Sequence, residues 1–300
     1  MKNVLVLYYT QSGQLKEIAK SITTPLEENK NIAMTFCEIK MKKPFPFPWN
    51  KAAFFDAFPE SFLEVPAEVL PIDPTISQTK FDLIILAYQV WFLSISIPVN
   101  SFLNSNQAKK LFKDTPVVTV IGCRNMWVGA QEKMKKHLEN LQAKLVGNIV
   151  LVDRAPNLIS VITIVQWMFS GKKKKYLGVF PKPGVSENDI EHAQEFGFHI
   201  KQALSIDNFE LLQSHLINER AVEVNDYLLK AETKGARIFK KWARFIITKK
   251  RSRKLWLKAF NVYLFLAIWI ISPIVYILHL LTFLFTKNAR IKRKKYYQSV

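Results

Sequence analysis

Three short loops carry the side chains of this sequence that are best suited to hold a ligand. The first loop lies between an apolar run at residues 4–9 and a helical stretch at residues 15–26, and it consists of Thr10, Gln11, Ser12, Gly13 and Gln14. Backbone N–H groups at a helix N-terminus, together with the hydroxyls of Thr10 and Ser12, can bind a phosphate group. The loop has no lysine and matches neither the nucleoside-triphosphatase pattern nor the dinucleotide pattern Gly-x-Gly-x-x-Gly. The sequence therefore predicts a phosphate-binding loop of another kind.

Two further loops follow the third and fourth apolar runs. The second loop comes after residues 81–88 and consists of Gln89, Val90, Trp91 and Phe92. The third comes after residues 116–121 and consists of Gly122, Cys123, Arg124, Asn125, Met126 and Trp127. Ligands of open parallel sheets bind beyond the carboxyl ends of the strands, so we expect the three loops to form one site. Tyr88, which ends the third run, is a candidate proton acceptor in that site, with packing beneath the loop as the alternative.

Apolar runs and helical stretches alternate through the first part of the chain. The apolar runs predict five strands, at residues 4–9, 31–39, 81–88, 116–121 and 146–152. Helical patterns occur at residues 15–26, 99–112, 129–141 and 186–204. Continuous apolar strands separated by helices are typical of a parallel sheet that is covered on both faces. The sequence therefore predicts an α/β domain over residues 1–205.

Two insertions enlarge this domain. Residues 43–62 hold four prolines and seven aromatic residues, and they either wall a hydrophobic substrate slot or pack over the sheet. Residues 155–175 contain an apolar stretch at residues 158–169, followed closely by four lysines. Twelve residues are too few to cross a bilayer, so this stretch lies either at an anionic membrane surface or in a buried helix.

The net charge of +19 is concentrated at one end of the chain. Residues 233–300 contain 17 Lys and Arg and no Asp or Glu, whereas residues 1–232 contain 26 basic and 24 acidic residues. This distribution excludes a uniformly basic protein that coats nucleic acid, and a hydrophobic content of 49% excludes a disordered chain. No nucleic-acid partner is expected. Cys37 and Cys123 lie far apart and give no metal-binding spacing, so no metal site is predicted.

The basic end of the chain carries two patterns typical of membrane attachment. Within a helical linker at residues 206–258, apolar side chains recur on one helix face among basic ones, at Ile238, Phe239, Trp242, Phe245 and Ile246. This spacing predicts a basic amphipathic helix of the membrane-surface type. In the final segment, residues 259–300, the stretch 259–285 contains no Asp, Glu, Lys or Arg and is long enough to cross a bilayer once.

Three arrangements of this hydrophobic segment remain open. Six basic residues precede it and six follow it, so the positive-inside rule gives no orientation. Pro273 can kink the helix, which favours a re-entrant hairpin with both ends in the cytoplasm over a spanning helix. A buried helix of a soluble protein is the third arrangement. We expect residues 237–295 to contact the membrane surface or the bilayer, at the cytoplasmic face of the inner membrane.

The three loops resemble those of the flavodoxin-like family. Residues 10–14 resemble the family's phosphate loop for flavin mononucleotide (FMN). Gln89, Val90 and Trp91 resemble the family's Pro-Val-Trp stretch, in which an aromatic residue flanks the flavin ring, with Gln89 where the family usually has proline. The resemblance implies that Val90, Trp91 and Phe92 cover the ring. The resemblance implies bound FMN and a doubly wound five-stranded parallel sheet in the order 2-1-3-4-5, with a C-terminal helical membrane-associated tail added here.

The third loop lies where that family contacts the other edge of the flavin ring. The resemblance therefore places Cys123, Arg124 and Asn125 beside the ring. Arg124 is a candidate to bind a substrate carboxylate or to stabilise the reduced anionic flavin, with a surface ion pair as the alternative. Cys123 is better explained as a small buried residue than as a nucleophile.

The stretch Gly-Cys-Arg-Asn-Met-Trp at residues 122–127, together with the chain length and the hydrophobic tail, resembles the DarA family of dialkylresorcinol biosynthesis, known as dialkylresorcinol condensing enzymes. The resemblance implies aromatisation of a lipophilic 2,5-dialkyl-cyclohexane-1,3-dione to the dialkylresorcinol of flexirubin-type pigments. Such an oxidation suits a flavin. Condensation would instead need an activated Cys with His partners, and the five histidines form no such set. A separate condensing ketosynthase is therefore a candidate partner.

Two other functions stay open at this point. The chain is alternatively a membrane-attached flavodoxin-like quinone reductase or electron carrier, for which the same hydrophobic slot would suit a quinone. It is alternatively a non-catalytic membrane partner of a condensing ketosynthase.

Overall fold

The computed structural model describes residues 1–282 and 287–300, and a six-stranded sheet forms its centre. The strands are β1 (Lys2–Tyr8), β2 (Ile32–Glu38), β3 (Leu83–Trp91), β4 (Ser94–Ile95), β5 (Pro116–Cys123) and β6 (Lys144–Val152). Five of them are parallel neighbours in the order β2-β1-β3-β5-β6. The two-residue β4 pairs antiparallel with β3.

The predicted α/β class is confirmed, and the predicted sheet needs one correction. Counted alone, the five parallel strands have the predicted order 2-1-3-4-5, which is that of flavodoxin-like sheets. The sheet nevertheless has six strands, because the chain turns back directly after β3 to form β4. The strands that are buried on both faces, such as β1 and β3, are those whose sequences are unbroken apolar runs.

The helices cover both faces of the sheet and then continue beyond it. They are α1 (Gln14–Glu27), α2 (Lys51–Asp56), α3 (Phe58–Phe62), α4 (Pro74–Gln78), α5 (Ile97–Leu103), α6 (Asn106–Phe112), α7 (Val128–Asn140), α8 (Asn157–Ser170), α9 (Glu187–His192), α10 (Gln194–Ser205), α11 (Leu212–Asn218), α12 (Asp226–Thr248), α13 (Arg253–Leu266), α14 (Ser272–Leu281) and α15 (Lys287–Gln298). A π-helical segment, Ala267–Ile271, joins α13 to α14. The helices predicted at residues 99–112 and 186–204 are each two shorter helices.

The aromatic insertion at residues 43–62 connects the second loop to the C-terminal helices. Trp49 lies 5.4 Å from Trp91, measured between ring centroids. At the other end of the insertion, Phe58 of α3 stacks on Phe260 of α13 with centroids 3.7 Å apart and planes 5° apart. The insertion therefore both borders the second loop and anchors the C-terminal helices.

The second insertion forms α8, whose buried face is partly polar. Ser160, Thr163 and Trp167 are its buried side chains, whereas most of its aliphatic residues are half-buried and Val165 is exposed. The helix begins beside the third loop and ends beside the aromatic insertion, where Met168 accepts a backbone hydrogen bond of 2.8 Å from Trp49. Helix α8 therefore crosses from the third loop to the insertion.

The α/β domain extends beyond the predicted boundary at residue 205. Leu212 and Leu216 of α11 are buried in the main core. The backbone N–H of Val150 in β6 donates a hydrogen bond of 2.7 Å to the carbonyl of Ala221. The first part of residues 206–258 is therefore part of the domain and not a linker.

Helix α12 has the predicted amphipathic pattern, but the centre of its apolar face is buried in the protein and not free to contact a membrane surface. Phe239 and Ile246 are buried, and the ring of Phe239 lies 5.3 Å from that of Phe58. Ile238 and Phe245 stay exposed. The centre of the apolar face thus packs on the protein's own aromatic insertion, because that insertion offers it an apolar surface to cover.

Within the described ranges, one helix is long and apolar enough to cross a membrane. It runs from Arg253 to Leu281, through α13, the π-helical segment and α14; its most apolar window of 18 residues has a mean hydropathy of 2.4 and is only 6% buried. We call Arg253–Leu281 the apolar helix. The end of the segment predicted at residues 259–285, namely 283–285, lies outside the described residues. The π-helical segment ends two residues before Pro273, which cannot donate a helical hydrogen bond.

Candidate functional site

Gln89 connects the predicted loops. Its side-chain oxygen accepts a hydrogen bond of 3.3 Å from the backbone N–H of Gln11 in the first loop. In the sheet it lies opposite Gly122, where the third loop begins. The three loops are therefore brought to one edge of the sheet, at the carboxyl ends of the neighbouring strands β1, β3 and β5. The glutamine that replaces the family's proline has a bonding role that the sequence did not indicate.

The first loop presents unpaired hydrogen-bond donors at the start of α1. Gly13 caps the helix with φ of +91°, and its N–H donates to the hydroxyl of Thr10 at 3.1 Å. No heavy atom lies within 4 Å of the position that a Cβ at Gly13 would take. Among residues 1–282 and 287–300, no acceptor is present for the N–H and hydroxyl of Ser12 or for the N–H of Gln14. Such a set of donors at a helix N-terminus fits a phosphate group.

The two glutamine side chains of this loop are bound elsewhere. The amide of Gln11 donates to the carbonyls of Phe45 at 3.3 Å and Pro46 at 2.7 Å, and its oxygen accepts from the hydroxyl of Tyr9. The amide of Gln14 makes two hydrogen bonds with the backbone of Val185, of 2.8 and 3.0 Å. Their side chains therefore fix the loop to the rest of the protein. Because the backbone N–H of Gln11 donates to Gln89, the N–H of Gln14 is the donor of these two residues that remains for a ligand.

The second loop is a tight β-hairpin turn at Phe92 and Leu93. Both residues have positive φ, of 48° and 62°, a conformation that costs a non-glycine residue about 1 kcal/mol. Packing holds the turn, since the ring of Phe92 lies 4.8 Å from that of Phe54 and 5.3 Å from that of Phe58. The side chain of Phe92 is thus part of the aromatic insertion's packing and is not brought to the first loop.

Trp91 is the aromatic residue of the second loop that borders the first. Its ring centroid lies 6.0 Å from that of Tyr9 and 5.1 Å from that of Phe45. Val90 packs against the main core. Of the three residues predicted to cover a flavin ring, the structure therefore places Trp91 beside the first loop.

Arg124 in the third loop has no carboxylate partner. Its Nη1 donates to the side-chain oxygen of Asn157 at 2.9 Å and to the Asn157 carbonyl at 3.2 Å. Among the described residues no Asp or Glu oxygen lies within 4 Å of it, so the ion-pair alternative does not apply there. Burial lowers the pKa of the guanidinium, which still stays charged in proteins. An unpaired guanidinium at this position can bind an anionic oxygen.

Tyr88 and Cys123 do not have the properties of reactive groups. Tyr88 is fully buried, and its hydroxyl donates to the side chain of Gln131 at 2.7 Å. Burial raises the pKa values of both the Tyr88 hydroxyl and the Cys123 thiol well above their ordinary range. The prediction that Tyr88 accepts a proton from a substrate is therefore not supported, because its hydroxyl is enclosed in the core. Cys123 is half-buried, and its raised pKa favours the predicted packing role over that of a nucleophile.

Glu232 of α12 is a site residue that the sequence did not reveal. Its carboxylate accepts hydrogen bonds from the backbone N–H groups of Gly129 at 2.6 Å and Val128 at 3.3 Å. It thereby caps α7, which begins directly after the third loop and has no side-chain cap of its own. Burial raises the pKa of Glu232 to about 7. Its one sequence signal is that it is the last acidic residue before the basic end of the chain.

Comparisons with known proteins give structural similarity only. No protein-family profile and no curated protein matches this chain. A flavoprotein in complex with FMN from Lactobacillus acidophilus NCFM is 19% identical with a TM-score of 0.39, and the match covers 50% of this chain and 93% of that one. A putative flavoprotein from Bacteroides eggerthii DSM 20697 is 15% identical with a TM-score of 0.40, and the match covers 57% and 100%. A flavodoxin from the domain Archaea is 11% identical with a TM-score of 0.37, and the match covers 68% and 99%. Similarity of this degree carries no argument about the activity of this chain.

Proposed function

We propose that this protein is an FMN-dependent oxidoreductase that aromatises a lipophilic 2,5-dialkyl-cyclohexane-1,3-dione to a dialkylresorcinol, as in flexirubin-type pigment biosynthesis. The observation that carries the flavin assignment is the meeting of three loops at one sheet edge, with unpaired donors of Ser12 and Gln14 at the start of α1. The substrate class comes from the resemblance of residues 122–127 and from the apolar C-terminal helix.

The residues of the three loops fit FMN at both of its ends. The first loop would hold the phosphate through the N–H groups of Ser12 and Gln14 and the hydroxyl of Ser12. Trp91 and the third loop would hold the ring from two sides. When bound, an oxidised flavin supplies a hydride acceptor, which is what an aromatisation that removes a hydride and a proton requires.

The chain's own contribution to the reaction would come from Arg124. A cyclohexane-1,3-dione is acidic and forms an enolate, whose negative oxygen matches an unpaired guanidinium. Two hydrogen bonds to Asn157 hold the guanidinium in place. Its remaining N–H groups would orient the enolate oxygen and stabilise its charge while the ring is oxidised.

A direct assay separates this proposal from its alternatives. The purified flavin-loaded protein is incubated with a 2,5-dialkyl-cyclohexane-1,3-dione, and formation of the dialkylresorcinol is followed by mass spectrometry, two mass units below the substrate. We expect product from the wild type and at least a tenfold slower rate from Arg124→Ala, with Arg220→Ala, an exposed arginine outside the three loops, as the control. A flavin-loaded protein that oxidises reduced nicotinamide with a quinone, and forms no resorcinol, would be the quinone reductase. A protein that takes up no flavin would be a non-catalytic partner of a ketosynthase.

We further propose that the apolar helix attaches the protein to the membrane by lying along its surface. Both ends of the helix are bound to the same α/β domain. At its start, Arg253 forms ion pairs of 2.6 Å with Asp56 and with Glu60. In α15, which follows it, Arg293 pairs with Asp226 at 2.5 Å. A spanning helix would place these two ends on opposite sides of a core about 30 Å thick.

The middle of the apolar helix is bound to the domain as well. The hydroxyl of Tyr227 in α12 donates to the carbonyl of Ser272 at 2.9 Å. The opposite side of the helix is exposed and apolar, for example at Val262, Ile270 and Ile277. Exposed lysines and arginines flank it, namely Lys250, Arg251, Lys254, Lys258, Lys287, Lys292, Lys294 and Lys295. Each basic side chain near an anionic leaflet adds on the order of 1 kcal/mol of attraction. This arrangement supports a cytoplasmic protein attached to one leaflet.

Spin-label depth measurements test this orientation. Nitroxides are attached singly at Val262, Ile270 and Ile277 after replacement by cysteine, in full-length protein on vesicles containing phosphatidylglycerol. We expect the three depths to agree within about 5 Å and to lie in the interfacial region. A label at residue 270 much deeper than the other two would indicate a re-entrant hairpin. Labels at residues 262 and 277 near opposite surfaces would indicate a spanning helix.

A further inference from the structure

A cavity of about 790 Å³ lies beside the third loop, on the side away from the other two loops. Its walls come from the third loop, the turn between β6 and α8, the first half of α12 and the start of α14. None of the residues of the first and second loops lines it. The cavity is therefore a separate space that shares only Asn125 and Trp127 with the predicted flavin site.

Asn125 lines this cavity but offers it no acceptor. The side-chain oxygen of Asn157 accepts from Arg124 at 2.9 Å, and arginine can only donate. Asn125 therefore turns its NH₂ group to the same oxygen, which it reaches at 2.9 Å. Its own oxygen is enclosed, with no donor among the described residues, and does not open onto the cavity.

Glu232 is the acceptor that lines this cavity. The backbone N–H groups of Val128 and Gly129 hold its carboxylate at the start of α7, and that of Trp127 also lowers its pKa as a hydrogen-bond donor. A carboxylate has about four lone-pair sites, so three N–H donors leave one for a ligand. The charged groups that face the cavity besides Glu232 are Asp153, Arg154 and Glu223. The first of these already accepts from Ser160 and Gly184, and the other two pair with each other at 2.7 Å.

The remaining walls of the cavity are largely apolar. Leu158 and Ile159 line it from α8, and Leu228 lines it from α12. Pro273 and Tyr276 line it from the apolar helix, which we place at the membrane surface. A ligand with an alkyl chain would thus find an apolar surface that continues from the apolar helix to the Glu232 carboxylate.

We propose that this cavity binds a lipophilic molecule that carries an enol or phenol hydroxyl, with the hydroxyl donated to Glu232 and the alkyl chain directed towards Pro273 and Tyr276. The cavity is thus the place where such a molecule enters from the membrane before or after reaction at the third loop. That this molecule is the dione in its enol form, or the resorcinol product, rests on the proposed function. That the cavity binds a lipophilic molecule with a hydroxyl group does not depend on the proposed function.

Calorimetric titration with 5-pentylresorcinol tests the site without any turnover. The titrations use full-length protein in detergent, both flavin-free and flavin-loaded. We expect binding to both forms.

Four variants test where the ligand binds. Leu228→Trp, which fills the cavity from α12, should weaken binding of 5-pentylresorcinol at least tenfold. Ala155→Phe, which fills it from the turn between β6 and α8, should do the same. Glu232→Gln should weaken it about tenfold. Val165→Trp, an equally large change on the exposed side of α8 away from the cavity, should leave it unchanged.

The outcomes separate this inference from the proposed function. Binding that is lost in both cavity-filling variants, with unchanged circular dichroism, supports the site even if the protein binds no flavin. No saturable binding to the wild type overturns the inference, and so does equal binding by the wild type, Leu228→Trp and Ala155→Phe. Flavin uptake and aromatisation can persist in that second case, so the failure of one proposal does not imply the failure of the other.

Discussion

The carboxylate of Glu232 accepts a hydrogen bond of 2.6 Å from the backbone N–H of Gly129. The two residues lie more than a hundred positions apart, on α12 and at the start of α7. Through this contact a helix of the basic C-terminal region supplies the cap that α7 lacks. The position of α12, and of the apolar helix that packs along it, is therefore connected directly to the third loop of the candidate site.

This contact predicts a pH-dependent stability. Burial raises the pKa of Glu232 to about 7 in the folded protein, above the ordinary value of 4.5. The folded state therefore binds a proton that the unfolded state releases, and the free energy of unfolding falls as the pH rises from about 4.5 to 7, by at most about 3 kcal/mol. Glu232→Gln should remove this slope in urea unfolding measured between pH 5 and 8. Glu139→Gln, an exposed glutamate of α7, should retain it, and an unchanged slope in Glu232→Gln would contradict the assignment.

Replacement of glycine by alanine should have opposite effects on stability at Gly197 and at Gly235. A Cβ at Gly197 in α10 would lie 2.0 Å from the carbonyl oxygen of Ile22, a backbone atom that cannot move aside. Gly197→Ala should therefore lower the free energy of unfolding by about 3 kcal/mol. At Gly235 in α12 the nearest atom would lie 3.7 Å away, so Gly235→Ala should raise stability by up to about 1 kcal/mol through helix propensity. Urea denaturation of both variants checks the pair, and similar effects in the two would contradict the packing of α10 on α1.

Gln89 provides a test of the connection between the first two loops. Gln89→Leu removes the acceptor for the N–H of Gln11, and the loss should weaken FMN binding about tenfold, which corresponds to about 1.4 kcal/mol. Gln107→Leu is a matched control, because the Gln107 side chain likewise accepts a backbone hydrogen bond, from Ile72 at 3.1 Å, away from the loops. Equal FMN affinity of the two variants would show that the Gln89 contact does not shape the site.

The sequence predicts the sheet well because local patterns determine it. The strands at β1, β3 and β5 are unbroken apolar runs, and their carboxyl ends meet for any chain with this strand order. The loops 10–14 and 122–127 could thus be located before the structure was known. The two-residue β4 could not be predicted because its turn is formed by Phe92 and Leu93. Hairpin turns with positive φ are ordinarily recognised in a sequence by glycine or asparagine at these positions.

The site residues that were missed depend on contacts between distant parts of the chain. Nothing local to Glu232 indicates that it will cap α7, and nothing local to Gln89 indicates that it will accept from Gln11. The apolar face of α12 has the same pattern whether it lies on lipid or on protein, so only the presence of Phe58 and Phe62 beside Phe239 decides its position. Likewise, the composition of the apolar helix does not reveal that both of its ends return to the domain.

Binding of FMN to the first loop is the central claim, and fluorescence titration of FMN into the flavin-free full-length protein tests it most directly. We predict one saturable site per chain. Ser12→Ala, which removes a hydroxyl that has no partner within the described residues, should bind FMN about tenfold more weakly. Ser205→Ala, at the end of α10, should bind it as the wild type does. A wild-type protein that does not quench FMN fluorescence, or a Ser12→Ala variant with unchanged affinity, would contradict the account.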